Sequence, residues 1–169
     1  MATATSRREF LRGRIGHDAR SVMRPPGASA AFLDACTRCS DCISACPEGI
    51  LVRDADNGPV VDFSKGACTF CGQCAEACPT EALMPDRVAA WCWKARVADN
   101  CLSMNGVTCR SCQDSCESSA ISFRLALGGI SRPVIDLGQC TGCGGCAYSC
   151  PTGAIDFYHP EITNKEAAE

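Results

Sequence analysis

Cys36-Thr37-Arg38-Cys39-Ser40-Asp41-Cys42-Ile43-Ser44-Ala45-Cys46-Pro47 separates its cysteines by two, two and three residues and closes on proline. The same arrangement returns at Cys68, Cys71, Cys74, Cys78 and Pro79, and again at Cys140, Cys143, Cys146, Cys150 and Pro151. Between these lies an altered run, in which seven residues separate Cys101 from Cys109, Cys112 and Cys116 follow, and Glu117 stands in place of proline. An internal repeat of this kind organises the whole chain.

The spacing has a chemical reason. Three thiolates two residues apart wrap a tight loop around one cubane and reach three different irons, and in bacterial two-cluster ferredoxins the fourth cysteine of a run ligates the other cluster. Runs therefore work in pairs. Pairing neighbours assigns one 4Fe-4S cluster to Cys36, Cys39, Cys42 and Cys78, and a second to Cys68, Cys71, Cys74 and Cys46. A third takes Cys101, Cys109, Cys112 and Cys150, and a fourth takes Cys140, Cys143, Cys146 and Cys116. Four clusters, with iron as the only metal and sixteen cysteines as ligands, account for all of the seventeen cysteines but Cys92. Zinc is the main competitor, but zinc sites pair two Cys-x2-Cys hooks across a longer spacer, whereas continuous triplets with a distant fourth ligand suit a cubane. Disulfides are disfavoured by the odd count, by the regular rhythm and by the lack of a cleavable secretory signal.

Working outward, the 46% hydrophobic content includes the cysteines, and only ten residues are aromatic. A core this thin needs a staple such as a metal. The expected fold class is α+β, with two tandem bacterial-type two-cluster ferredoxin domains built from small antiparallel hairpins and short helices. The expected division is a basic tail at 1–30, ferredoxin-like domains at 31–84 and 85–158, and a C-terminal tail at 159–169. Short β-prone stretches at 50–53 and 59–63 flank the turn Asp56-Asn57-Gly58, and stretches at 120–126 and 133–137 flank Gly128-Gly129. Asn-Gly is a strong hairpin signal. Each half thus reads as strand, cysteine loop, helical turn and strand, taken twice. The proline after each intact run is expected to stop the helical turn before it, and Gly72, Gly142, Gly144 and Gly145 to let backbone approach the cluster. In the third run, Cys92 of Trp91-Cys92-Trp93 could replace Cys101, but its apolar setting favours a buried free thiol. His17 and His159 are expected at the surface.

Residues 1–24 hold six arginines against Glu9 and Asp18, which leaves −7 on the rest of a chain of net charge −3. Such an acidic body argues against a nucleic-acid partner. No run approaches the ~18 apolar residues of a membrane span. Ser6-Arg7-Arg8-Glu9-Phe10-Leu11-Arg12 looks locally like a twin-arginine export signal, but charged residues and Pro25-Pro26 follow where an apolar stretch of about 7 to 15 residues is required. The expected location is therefore cytoplasmic. The alternative for this segment is a capping box from Ser6 to Glu9, and the whole tail is a candidate for docking a partner, with Arg24-Pro25-Pro26 as a stiff spacer.

Four features, the Ser6-Arg7-Arg8 start, the Arg24-Pro25-Pro26 segment, the altered run through Cys109-Arg110-Ser111-Cys112-Gln113-Asp114-Ser115-Cys116-Glu117, and the Cys140-Thr141-Gly142-Cys143-Gly144-Gly145-Cys146 loop, carry a resemblance over the whole chain. It resembles the NapF family, ferredoxin-type accessory proteins of periplasmic nitrate reductase systems. The resemblance implies a cytoplasmic protein that assists maturation of the molybdenum-containing catalytic subunit NapA in its precursor form before export, and because sixteen cysteines complete all four cubanes and leave no open iron for substrate, an enzyme is not expected. An electron-transfer ferredoxin subunit of another respiratory oxidoreductase is the alternative, and a binding module merely stiffened by metal is a third class. No phosphate loop or nucleophile-base constellation appears.

Overall fold

The computed structural model describes residues 22–126, 128 and 130–160. The 6–12 segment, His17, Gly129 and residues 161–169 lie outside the described residues. Helix α1 (Phe32–Ala35) leads into the first cysteine run, and α2 (Asp41–Ser44), α3 (Gln73–Glu76), α4 (Ser111–Asp114) and α5 (Gly145–Tyr148) each make one turn around the third cysteine of a run. Three are entered through a left-handed residue, Ser40 (φ 77°), Gly72 (φ 80°) and Gly144 (φ 87°), which reverses the chain between the second and third cysteines.

The expected stop by proline is corrected. All four helices end two residues before the fourth cysteine, and α4 does so although Glu117 follows its run. A tight turn comes next in three of the runs: the N–H groups of Gly49, Ser119 and Gly153 donate to the carbonyls of Cys46, Cys116 and Cys150 at 3.2, 3.0 and 3.3 Å. Ser119 takes the left-handed conformation (φ 53°) that glycine supplies in the other two.

Among the described residues, three two-stranded antiparallel sheets complete the fold: β1 (Leu51–Arg53) with β2 (Pro59–Val61), β3 (Lys94–Val97) with β6 (Ile155–Tyr158), and β4 (Ile121–Leu125) with β5 (Ser131–Ile135). The first and last are the expected hairpins, in register Leu51↔Val61 and Ile121↔Ile135. The pair β3–β6 joins the two ends of the second half, and a single bridge, Ala28↔Leu83, does the same for the first. Each half is therefore closed by its own ends.

Arg24-Pro25-Pro26 is not a spacer. Pro25 is fully enclosed, the Arg24 guanidinium reaches Asp54 at 2.7 Å and Pro59 O at 3.1 Å, and it lies 5.2 Å over the Phe32 ring. The chain from Val22 onward is part of the first half. One buried cluster centres on Phe32, Ile50, Leu51, Phe63, Ala75 and Leu83, and another on Ala95, Ala120, Ile121 and Ile155, with Ala147 and Phe157 packed on both. Cysteines belong to each cluster, so the apolar core and the thiol sites are one volume.

Candidate metal centres

Each helical turn points the third cysteine inward, and Cys42, Cys112 and Cys146 are buried. The fourth cysteine, carried past the turn, meets the other run of its half. Cys46, Cys68, Cys71 and Cys74 line one cavity walled by Pro26, Ile50 and Leu51. Cys101, Cys109, Cys112 and Cys150 line a second, with Leu102, Phe123 and Ile155. Cys116, Cys140, Cys143 and Cys146 line a third, with Ile121, Ile135 and Phe157. Around Cys42 stand Cys78, Cys36 and Cys39, close enough to act on its titration. In every case three thiols come from one run and one from its neighbour.

Burial first, and then the neighbouring cysteines of its own set, push the Cys42 thiol up to about 11 and the Cys146 thiol to about 12. Cys68 and Cys112 are pushed to about 11, again chiefly by burial. Thiolates are the ligating form, so thiols this reluctant to ionise would become ligands only with a multivalent cation among them. Among the described residues no three His, Cys, Asp or Glu side chains are placed to hold a single metal ion. Sulfur-only donors spread around an apolar wall suit a polynuclear iron-sulfur core better than mononuclear zinc.

Two cysteines run the other way. Burial raises the Cys78 thiol, but hydrogen bonds from the Thr80 N–H and hydroxyl and from Leu83 outweigh it, so the thiol lies below its ordinary value. Cys150 is lowered likewise, with burial opposed by bonds from Ala154, Thr152 and Gly153. The N–H groups of Phe70, Ala120 and Ala154 reach the sulfurs of Cys68, Cys116 and Cys150 at 3.4, 3.3 and 3.2 Å. Such bonds stabilise thiolate and hence the bound, reducible form.

The glycines that line the cavities have a second role. A Cβ on Gly144 would lie 2.1 Å from the Phe63 ring, and one on Gly142 would lie 2.2 Å from the Trp93 carbonyl oxygen. Gly142 and Gly144 thus admit neighbouring protein as well as lining the cavity of Cys143, and Gly72, which lines the cavity of Cys68, has open space where its Cβ would be. In the altered run the insert forms a 3-10 turn, Ser103–Asn105, whose buried Ser103 hydroxyl donates to the Ser131 carbonyl. Leu102 thereby closes the cavity of Cys101. Cys92 is not among the residues lining that cavity; it stands 3.2 Å from His159 Nε2, and His159, edge-on to Trp93 at 5.6 Å, is half-buried and not a surface residue. Sequence reasoning also missed Thr80, Ser118 and Thr152, although a hydroxyl two residues after the fourth cysteine is a visible regularity. It passed over Lys94 too, whose ammonium donates to the Cys140 carbonyl beside the fourth set.

Comparison with known proteins agrees with this picture. The family model of the 4Fe-4S dicluster domain matches twice, at residues 35–83 and 107–154. Ferredoxin-type protein NapF of Escherichia coli (strain K12) is 45% identical over 157 residues, covering 92% of this chain and 95% of the relative. Ferredoxin-type protein NapF of Haemophilus influenzae is 39% identical over 160 residues, covering 88% and 91%. The methylamine utilization ferredoxin-type protein MauM of Methylophilus methylotrophus is 36% identical over 152 residues, covering 78% and 67%. The dicluster matches bring 4Fe-4S clusters to both halves of the chain, and they discard zinc and disulfides as the staple. No helix among the described residues is long and apolar enough to cross a membrane.

Proposed function

The chain belongs to the NapF family of ferredoxin-type proteins, and from that premise we propose that it is an electron-transfer accessory protein holding four 4Fe-4S clusters and assisting maturation of the nitrate reductase subunit NapA in the cytoplasm, before export. The observation that carries this reading is the convergence of three thiols from one run with one from its neighbour around the sets of Cys42, Cys68, Cys112 and Cys146. The sixteen cysteines of the four sets are the ligands. They fill every cluster position, so no open iron is left for substrate, and the protein is a carrier and not an enzyme.

Bound clusters supply one-electron storage. Ile50, Leu51, Leu102, Phe123 and Ile135 exclude water from the cavities, and the N–H and hydroxyl groups that point at sulfur set how readily each set is reduced. The two ferredoxin-like units at 31–84 and 85–158 carry two sets each, and the arginine-rich segment ahead of residue 22 docks the client. Anaerobically prepared protein should contain four iron and four sulfide per cysteine set, and a pull-down on cytoplasmic NapA precursor should recover it. Recovery of the precursor without this chain would sink the client assignment while leaving the carrier role intact. The likeness to MauM favours a second reading, a carrier serving another oxidoreductase, which lasting co-purification with such an enzyme would support.

A further inference from the structure

We infer that the two halves of the molecule exchange electrons at one joint, between the set of Cys68 and the set of Cys143, so that the four sets run in the order Cys36, Cys68, Cys143, Cys101. The inference rests on the electron-carrying reading above and adds a route to it.

Within each half, adjacency follows from packing. Helix α2 lies against α3 and α4 against α5. Between the halves, the Cys68 N–H donates to the Cys143 carbonyl at 2.7 Å. A single hydrogen bond is thus all that interrupts a covalent path from Cys68 Sγ to Cys143 Sγ.

The surrounding contacts hold that bond in place. The Phe63 ring fits where Gly144 has no Cβ, and it meets the Phe157 ring at 4.8 Å with the two planes tilted by 51°. Trp91 donates its indole N–H to the Gly142 carbonyl at 3.3 Å and meets the Phe70 ring edge-on at 6.4 Å. Gly142 and Gly144 are buried, whereas the cysteine loops of the other two sets carry exposed arginines, Arg38 and Arg110. The glycine-rich loop of the fourth run is the face on which the first half docks. Arginine marks the two ends, where the redox partners approach. Exchange across the joint balances by itself: one set loses an electron, the other gains it, and no bond is made or broken.

Two double variants test the order. Cys39→Ala with Cys109→Ala removes the end sets and should retain about half the iron; on reduction its two remaining sets should give a broadened, spin-coupled paramagnetic signal. Cys71→Ala with Cys140→Ala leaves only the end sets, which should give the plain sum of two uncoupled signals. Coupling in the second variant, or its absence from the first, overturns the inference. As a check that spares every cysteine, Phe63→Ala should keep the full iron content yet release the halves to limited proteolysis at 85–91 several-fold faster than the parent; an unchanged rate also overturns it. Fully loaded protein coupled elsewhere defeats this inference alone, whereas protein with no 4Fe-4S signal defeats the carrier reading and this inference together.

Discussion

Thr80, Ser118 and Thr152 place hydroxyls 3.6, 3.5 and 3.7 Å from the sulfurs of Cys78, Cys116 and Cys150, and Glu48 occupies the same position after Cys46. A hydroxyl that donates to thiolate favours the more electron-rich sulfur and raises the reduction potential. Thr80→Val should therefore lower the potential of the Cys36 set, by on the order of 40 mV if the bond is worth about 1 kcal/mol in a one-electron couple, as read by a redox titration followed by paramagnetic resonance. Glycine offers a second contrast between neighbouring roles. Gly144→Ala meets both the Phe63 ring and a φ of 87° and should cost about 2–4 kcal/mol, while Gly72→Ala, strained only in φ, should cost about 1–2 kcal/mol. Thermal loss of cluster absorbance in the two variants compares them directly. At the remaining cysteine, Cys92→Ser should leave iron content unchanged and Cys101→Ser should remove one set, because Cys101 and not Cys92 lines the cavity with Cys109, Cys112 and Cys150. Equal losses of iron in both variants would return Cys92 to the ligand list.

At the scale of elements, the β1–β2 hairpin shows how a local turn is tied to a distant segment. Asp54 accepts hydrogen bonds from the Asp56 and Gly58 N–H groups, both at 2.8 Å, and pairs with Arg24. Burial raises its carboxyl, but the Gly58 bond and then Arg24 and Asp56 outweigh this and hold it below the ordinary carboxylate value. A folded pKa below the unfolded one means that the stabilisation is complete above the unfolded value, about 3.9, and is lost as pH falls through the folded value. Asp54→Asn should thus be less stable than the parent at neutral pH, by about 1–2 kcal/mol, and the difference should shrink in acid below about pH 4. Denaturant unfolding at several pH values measures it. The turn itself was readable from Asn57-Gly58, and Asn57 does take φ 62°. The clamp was not readable, because Arg24 and Asp54 are thirty residues apart and nothing local marks them as partners.

For the molecule as a whole, the proposed exchange of fourth cysteines would couple the two sets of each half, so that losing one set weakens its neighbour without expelling it. Cys39→Ala should therefore speed chelator-driven release of iron from the Cys68 set and leave the second half unchanged, and release from the Cys68 set at the parent's rate would contradict the exchange of Cys46 with Cys78.

The amino-acid sequence by itself determined the repeat, the two-fold division into dicluster units and both hairpins, because cysteine spacing and turn chemistry act over a few residues. Tertiary structure alone decided the rest. It closed each half through β3–β6 and Ala28↔Leu83, whose strands are remote in sequence. It drew Arg24-Pro25-Pro26 into the first core, and it gave Gly142 and Gly144 to Trp93 and Phe63 as neighbours. Their shared reason is physical. Local patterns record what a residue does to its own backbone, whereas the partner that a missing Cβ admits is known only once distant segments have packed.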